Sequence, residues 1–489
     1  MASLLRRLPF ALLSALFLIS SGAKAAAPEP VVEGHRIIDS LTSARFVPHG
    51  VNFPGYEYSC QQGWSYGEDG TEPEDIDSTV AAIASWKINT VRLPLNQDCW
   101  LGDDGLPTGG LTVNGYRQSV EDFVDALNAA GIVAIVDLHW SGPNGVIADG
   151  LRPMPDNRSA AFWSSVATRF RDYPSVIFDL FNEPHSRWNA DDTKVFTLGW
   201  DCWANGGCYA PVEPDTAATS GHKWYRTTGL ATLTEVVRNA GATQPIILSG
   251  IDYANDLRGW LANAPDDDQL IAGFHNYPEQ RCRTTACWNK EIAPLNEKVP
   301  VLAAEFGQNG CDRNGHVNRF MDWADDHVIG YLAWAWWSLP DLGCHNFALV
   351  SDLDGTPLGA VGNALHDHLA TLPAVLPEPP VRVSPGLTIK KAKWKRPNLR
   401  LRIGISRKAS KKAQVRVRLA RDRKSSAGPR TTRRLLRRTI VVKSGAGSLN
   451  LRIPSGLKPV RVVVYYPGDD LLLPKTVSRK PASVSKITR

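Results

Sequence analysis

Short apolar runs alternate with segments of helical period from about residue 34 to 372; beyond that the chain switches to apolar and basic residues in strict alternation. Eight runs stand out in the first region: FVPHGVNF, NTVRLPL, IVAIVDLH, VIFDLFNE, QPIILSG, LIAGFHNY, PVLAAEF and YLAWAWW. Most are continuous rather than alternating, as expected of parallel strands buried on both faces. Between them Ile76, Val80, Ile83 and Lys87 sit at helical spacing, as do Val120, Phe123, Val124 and Leu127, and Trp163, Val166 and Phe170. Eight strand–helix units in this length predict an α/β fold of the (β/α)8 TIM-barrel type. A doubly wound open sheet is the competing fold, but no Gly-rich phosphate loop follows the first run.

A parallel barrel gathers the C-terminal ends of its strands on one face. The second run carries Arg92, the third ends at His139 and the fourth at Asn182 and Glu183. The sixth ends in His275 and Tyr277, the seventh at Glu305 and the eighth at Trp337. Two carboxylates so delivered are what glycoside hydrolysis needs: one protonated beside the leaving oxygen, one ionised under the sugar ring. Glu183 fits the acid, which later activates water as a base. Glu305 fits the nucleophile, with Arg92 keeping it ionised through charge-assisted hydrogen bonds. Asn182 can bond a sugar 2-hydroxyl. Taken singly, either glutamate reads as an ordinary strand-end carboxylate, and His139 or His275 as a core histidine.

The set resembles the catalytic domains of glycoside hydrolase family 5, whose motifs are Asn-Glu-Pro after strand four, His-x-Tyr after strand six and a glutamate after strand seven. The chain reads FDLFNEP, FHNYP and AAEFG at those places. The resemblance implies sugar-hydroxyl contacts from His139 and His275, support of Glu183 by His275, and orientation of Glu305 by Tyr277. It also points to a tryptophan after strand eight, where WWSLPD offers Trp336 or Trp337, and the following Ser-Leu favours Trp337. The family pattern needs no cofactor and no metal, although His139, His275 and Glu305 are of ligand type.

Sixteen tryptophans extend the picture. Trp64, Trp100, Trp140, Trp200, Trp203 and Trp288 lie in segments after strands, where aromatic faces can stack on sugars; Trp140 adjoins His139. At least half are expected to be packing anchors instead. The 186–220 insertion is expected to shape subsites.

Arg6 and Arg7, an apolar stretch and Ala23-Lys24-Ala25 form a leader pattern over residues 1–25. An exported protein is expected, secreted or wall-associated, and monomeric. Its eight cysteines then suggest disulfides. Cys202–Cys208 and Cys282–Cys287 are close enough for local staples, and Cys311–Cys344 could join adjacent loops, leaving Cys60 with Cys99. No C-x-x-C spacing supports zinc.

The net charge of +6 hides two opposite parts. Residues 381–489 hold 31 Lys+Arg against 3 Asp+Glu, leaving 24 basic and 46 acidic residues before them. The expected boundary is the Pro-rich linker 373–380, between a catalytic domain over 34–372 and a basic domain over 381–489. LRLRIGIS, AQVRVRLA, RTIVVK, LNLRIP and VRVVVYY read as half-exposed antiparallel strands, hence a small β-sandwich. Its VYYPGDDLLLP resembles bacterial immunoglobulin-like repeats. Dense positive charge suits an anionic cell-envelope polymer. A solvated spacer and docking on the acidic barrel are alternatives, and export with few aromatics speaks against nucleic acid.

The function expected is retaining endo-β-glycanase action on a polysaccharide, β-1,4-glucan of the cellulase type, with mannan, β-1,3-glucan or xyloglucan as alternatives. A non-catalytic carbohydrate-binding or wall-associated protein is the reading of a different class.

Overall fold

The computed structural model describes residues 27–189, 193–213, 223–309, 315–338 and 347–372, and strand segments between 388 and 483. The leader, the linker and the Cys311–Cys344 pairing lie outside the described residues. Eight parallel strands close into a barrel: β1 His49–Asn52, β2 Thr90–Asn96, β3 Val133–Trp140, β4 Val176–Asp179, β5 Ile246–Ser249, β6 Leu270–Asn276, β7 Val301–Phe306 and β8 Gly330–Ala333. Each pairs with its neighbours in sequence, and β8 closes on β1. Apart from Trp140 at the end of β3 the strands are buried throughout, which is why their runs are apolar on both faces.

Among the described residues, six helices of ten or more residues cover the barrel: α1 Ile76–Ser85, α2 Val113–Ala129, α3 Ser159–Phe170, α4 Leu230–Asn239, α5 Gly315–Asp326 and α6 Gly359–Thr371. Helix α2 shows how the sequence makes one. The Thr112 side chain accepts from the Gly115 N–H at its start. Tyr116, Val120, Phe123, Val124 and Leu127 then recur on one face, and all are buried. Replacing Phe123 by Ala would cost about 3–5 kcal/mol, because the packed core cannot close over the gap.

Strand alternation decides what fills the barrel. Val133, Ile135, Ile177, Ile247, Ile271, Leu302 and Leu332 form one apolar cluster with Val32, Ile37 and Phe46 from the N-terminal segment. Continuing with period two, β3 places Asp137 and His139 above Val133 and Ile135, and β4 places Asp179 above Ile177. The interior therefore changes from apolar to ionisable toward the C-terminal face. Gly50 allows β1 and β2 their spacing, since a Cβ there would meet Thr90 O at 1.7 Å.

Three expected disulfides are present, Cys60–Cys99, Cys202–Cys208 and Cys282–Cys287. In the basic region the described strands are β9 Thr388–Lys395, β10 Asn398–Gly404, β11 Lys412–Asp422, β12 Thr432–Lys443, β13 Ala446–Arg452, β14 Arg461–Tyr466, β15 Lys475–Arg479 and β16 Ala482–Ser483. They pair in the order β15-β14-β11-β12-β13-β10-β9-β16, antiparallel except for β9 with β16.

Candidate active site

Arg92 is the hub of the C-terminal face. Nε lies 3.0 Å from Asp179 Oδ2; Nη1 lies 2.9 Å from Asn52 Oδ1 and 2.8 Å from Glu305 Oε1. Nη2 lies 2.8 Å from Asn182 Oδ1 and 3.0 Å from Asp137 Oδ2. Four of these contacts are hydrogen bonds and the fifth, to Asp137, is an ion pair, a fork of contacts that lysine could not reproduce. Burial opposes the charge, but the carboxyls of Asp137, Asp179 and Glu305 outweigh it and hold the Arg92 pKa above its ordinary value.

These contacts orient the groups above them. Asn182 turns its oxygen to Arg92, so its amide nitrogen faces His139 Nε2 at 3.4 Å. Nε2 is then the acceptor, and Nδ1–H donates to Asp137 Oδ2 at 2.7 Å. Glu305 has both oxygens engaged: Oε1 by Arg92, and Oε2 by the Tyr277 hydroxyl, which donates over 2.9 Å. His275 Nδ1 lies 2.8 Å from Glu183 Oε1 and 3.5 Å from Glu305 Oε2. Burial takes the His139 and His275 pKa values down to about 3, so both rings are neutral at neutral pH. Oxygens of Glu183 and Glu305 approach within 4.8 Å of each other.

Arg92, His139, Asn182, Glu183, His275, Tyr277 and Glu305 thus converge, as the sequence predicts. His139, Asn182, Glu183, Tyr277 and Glu305 border an open cleft of about 500 Å³ lined also by Tyr58, Trp140, Tyr253, Trp334, Trp337 and Phe347, while Arg92 and His275 are buried behind them. Among the described residues, two groups could offer an ion three ligand atoms. One is Cys282, Cys287 and Glu291, whose sulfurs form a disulfide; the other is Glu183, His275 and Glu305.

Several expectations need correction. Strand eight ends at Ala333 rather than running on to Trp337. Trp334 follows it directly and stacks on His139, ring centroids 5.4 Å apart at 11°. Trp337 does line the cleft, but Trp336 is buried against Trp86 at 4.8 Å. Gly307 makes room here: a Cβ would stand 3.1 Å from both Trp334 O and the Tyr277 ring. None of the described residues of the 186–220 insertion lines the cleft. Trp203 instead donates to Ser249 O at 2.8 Å and packs near Trp260. Of the six tryptophans after strands, Trp140 lines the cleft and Trp64 is 69% exposed. Trp100, Trp203 and Trp288 are fully buried, and Trp200 packs partly buried against the core.

Sequence reasoning passed over Asn52, Asp137, Asp179, Glu57 and Trp334. The two aspartates had a signal, a charge set inside a continuous apolar run. Glu57 borders the cleft and accepts from Gly55 N at 2.7 Å, and burial pushes its pKa up to about 8.

Comparison with known proteins bears on the family and the fold. The model of the cellulase family, glycosyl hydrolase family 5, matches residues 47–339, more than half of the chain. The chain belongs to glycosyl hydrolase family 5. Endoglucanase 1 of Saitozyma flava is 28% identical over 363 residues, covering 67% of this chain and 91% of its own length. The mannan endo-1,4-β-mannosidase of Streptomyces lividans is 23% identical over 373 residues, covering 73% and 79%. Endoglucanase A of Evansella cellulosilytica is 22% identical over 259 residues, and the match spans only 44% of that protein. The crystal structure of a β-glucanase from Saccharophagus degradans has the same fold, with a TM-score of 0.51 at 18% identity, over 71% of this chain and 94% of that one. Glu183 follows β4, and Glu305 lies in β7 one residue before its end.

Proposed function

We propose that this chain is an exported, retaining endo-β-1,4-glucanase in which Glu305 is the nucleophile and Glu183 the acid and base. The observation that carries the reading is that Glu183 and Glu305 face one cleft close together, one oxygen of each lying within 4.8 Å of the other and both near His275 Nδ1. Retaining glycosidases hold theirs about 5–5.5 Å apart, whereas inverting ones need roughly 6.5–9.5 Å to admit water.

In the first step a Glu305 oxygen bonds to the anomeric carbon as the glycosidic C–O bond breaks. The Glu183 proton passes to the departing oxygen. In the second, Glu183 takes a proton from water, the resulting oxygen bonds to the same carbon, and the Glu305 ester bond breaks. Arg92 and Tyr277 hold Glu305 for in-line attack, a positioning contribution rather than a chemical one. With His275 neutral, its Nδ1–H can donate to Glu183 Oε1, leaving the other oxygen to carry the proton.

Aromatic rings at the cleft suit the apolar faces of β-linked sugars, with Trp140, Trp334 and Trp337 as platforms. Residues before 381 carry 46 acidic against 24 basic groups, which favours a neutral polysaccharide over an anionic one. Glucan is favoured over mannan by the endoglucanase of Saitozyma flava, matched over 91% of its length. A solved complex of the Saccharophagus degradans β-glucanase with cellotetraose adds to this. Mannan is the second reading, because the mannosidase match covers 73% of this chain. Export is supported by the leader pattern and by three disulfides, which persist in oxidising compartments. The basic region 381–489 would hold the enzyme to an anionic envelope polymer.

The test is reducing-sugar release from carboxymethyl-cellulose, barley β-glucan, galactomannan, xyloglucan and laminarin. Strong action on the first two with a rapid fall in viscosity is expected. A preference for galactomannan would move the substrate and keep the mechanism.

A further inference from the structure

The floor of the site holds more acid than its one cation can answer. Arg92 meets three carboxyl groups: Asp137, Asp179 and Glu305. The elements packed around them bring no second cation among the described residues. Strand β1 contributes Asn52, β3 contributes His139 and β6 contributes His275, with Tyr277 just beyond it. The remaining ionisable neighbours, Glu183 and Glu57, are acids. Both imidazoles are neutral.

Asp137 and Asp179 are fully buried and are register partners on adjacent strands. Each places Oδ2 on Arg92, and each leaves Oδ1 without a hydrogen-bond partner. An ionised carboxylate buried with an empty oxygen is costly, and two ionised side by side are more so. A proton on one removes a charge and supplies a donor.

We propose that Asp137 and Asp179 hold one proton between them while the enzyme works, so that the charge of Arg92 remains available to keep Glu305 ionised. Burial pushes both aspartates up and Arg92 pulls them back without cancelling the effect. The two are positioning residues: they touch no substrate and act through Arg92. This inference rests on the reading of Glu305 as nucleophile.

The experiment compares Asp137→Asn, Asp179→Asn and the double variant, together with a Glu305→Ala control. In either single variant the amide stands for the protonated acid and the other aspartate keeps the anion. The acid limb of kcat/KM on an aryl cellobioside should then move by less than about 0.3 pH unit. The double variant loses the remaining negative charge, and its acid limb should fall by about one unit. A single amide that moves the limb as far as the double one overturns the proposal.

A second readout needs no activity. A proton kept by the folded chain and lost by the unfolded one makes stability fall as pH rises above about 4, up to the folded pKa. Each single amide should flatten the wild-type slope by one proton between pH 5 and 7; an unchanged slope overturns the shared proton. If Glu305→Ala keeps wild-type turnover, the nucleophile reading fails, while this slope still reports on the proton. Should neither amide fold, wild-type protein labelled with γ-13C aspartate gives the answer. A protonated aspartate carboxyl at pH 7 is expected, and finding none overturns the proposal.

Discussion

Strand β1 is four residues long and joins two ionic clusters of opposite character, one buried and one half-buried. Its last residue, Asn52, belongs to the C-terminal face, where one arginine meets three carboxyl groups. Its first, His49, belongs to the opposite face, where one carboxylate meets two histidines. His368 Nε2 lies 2.7 Å from Asp325 Oδ2 and His49 Nε2 lies 3.4 Å from Asp325 Oδ1. About 10 Å of strand separates the two clusters. Burial works against the Asp325 charge, but the hydrogen bond with His368 and the nearby His49 imidazole outweigh it and take its pKa down to about 2. At the C-terminal face burial wins instead, and Asp137 and Asp179 are pushed up. One cluster fastens α5 and α6 to the barrel and stabilises it. The other spends stability to hold a nucleophile in place, and it borders the cleft through Glu305.

The contrast is sharpened most strongly at the catalytic pair. Glu305→Ala should lower kcat by at least about 10⁴-fold, because no other group can form the covalent bond, while leaving glycan binding largely intact. Equal turnover by wild type and variant would refute the assignment. Glu183→Ala should lower kcat by about 10²–10⁴-fold on polysaccharide. The loss should shrink on an aryl glycoside whose leaving group needs no proton; a similar loss on both substrates would remove Glu183 from the acid role.

The opposite face should behave the other way. Asp325→Asn should cost roughly 2 kcal/mol of stability at neutral pH and leave kcat unchanged. The sign follows from a pKa lowered by folding. This contribution is fully present above the unfolded value near 4 and is lost as pH falls through about 2. Thermal unfolding of wild type and variant should therefore converge below pH 2; a gap that persists there would show that packing, not charge, was lost. The smallest effect is expected at Trp334→Ala. Removing a ring that stacks on His139 at the cleft should cost about 0.5–1.5 kcal/mol of binding, read as a KM rise of roughly 2–12-fold. A change confined to kcat would mean that the ring positions His139 rather than sugar.

Much of this site was legible because barrel topology converts strand ends into neighbours. Glu183 and Glu305 lie 122 positions apart, yet each closes an apolar run, and the chain pattern predicts their meeting. The asymmetric residues were harder. Asp137 and Asp179 sit within runs whose apolar character marked them as strands, so their charges passed unremarked. Only the register shows that they share Arg92. Trp334 was hidden in YLAWAWW, where three tryptophans follow in close succession and composition cannot tell where the strand stops. The His49–Asp325–His368 cluster had no signature at all, since its members come from separate elements and carry no shared motif. Trp203 and Trp288 mark the limit of residue type as a guide: both looked suited to sugars and both are buried packing.

The stereochemistry of the first product tests the central claim most directly. Proton NMR during hydrolysis of a cello-oligosaccharide reads the anomer released before mutarotation. If Glu305 forms a covalent intermediate, the β-anomer appears first and the α-anomer grows in later. An α-anomer at the earliest times would contradict double displacement and the roles given to Glu183 and Glu305.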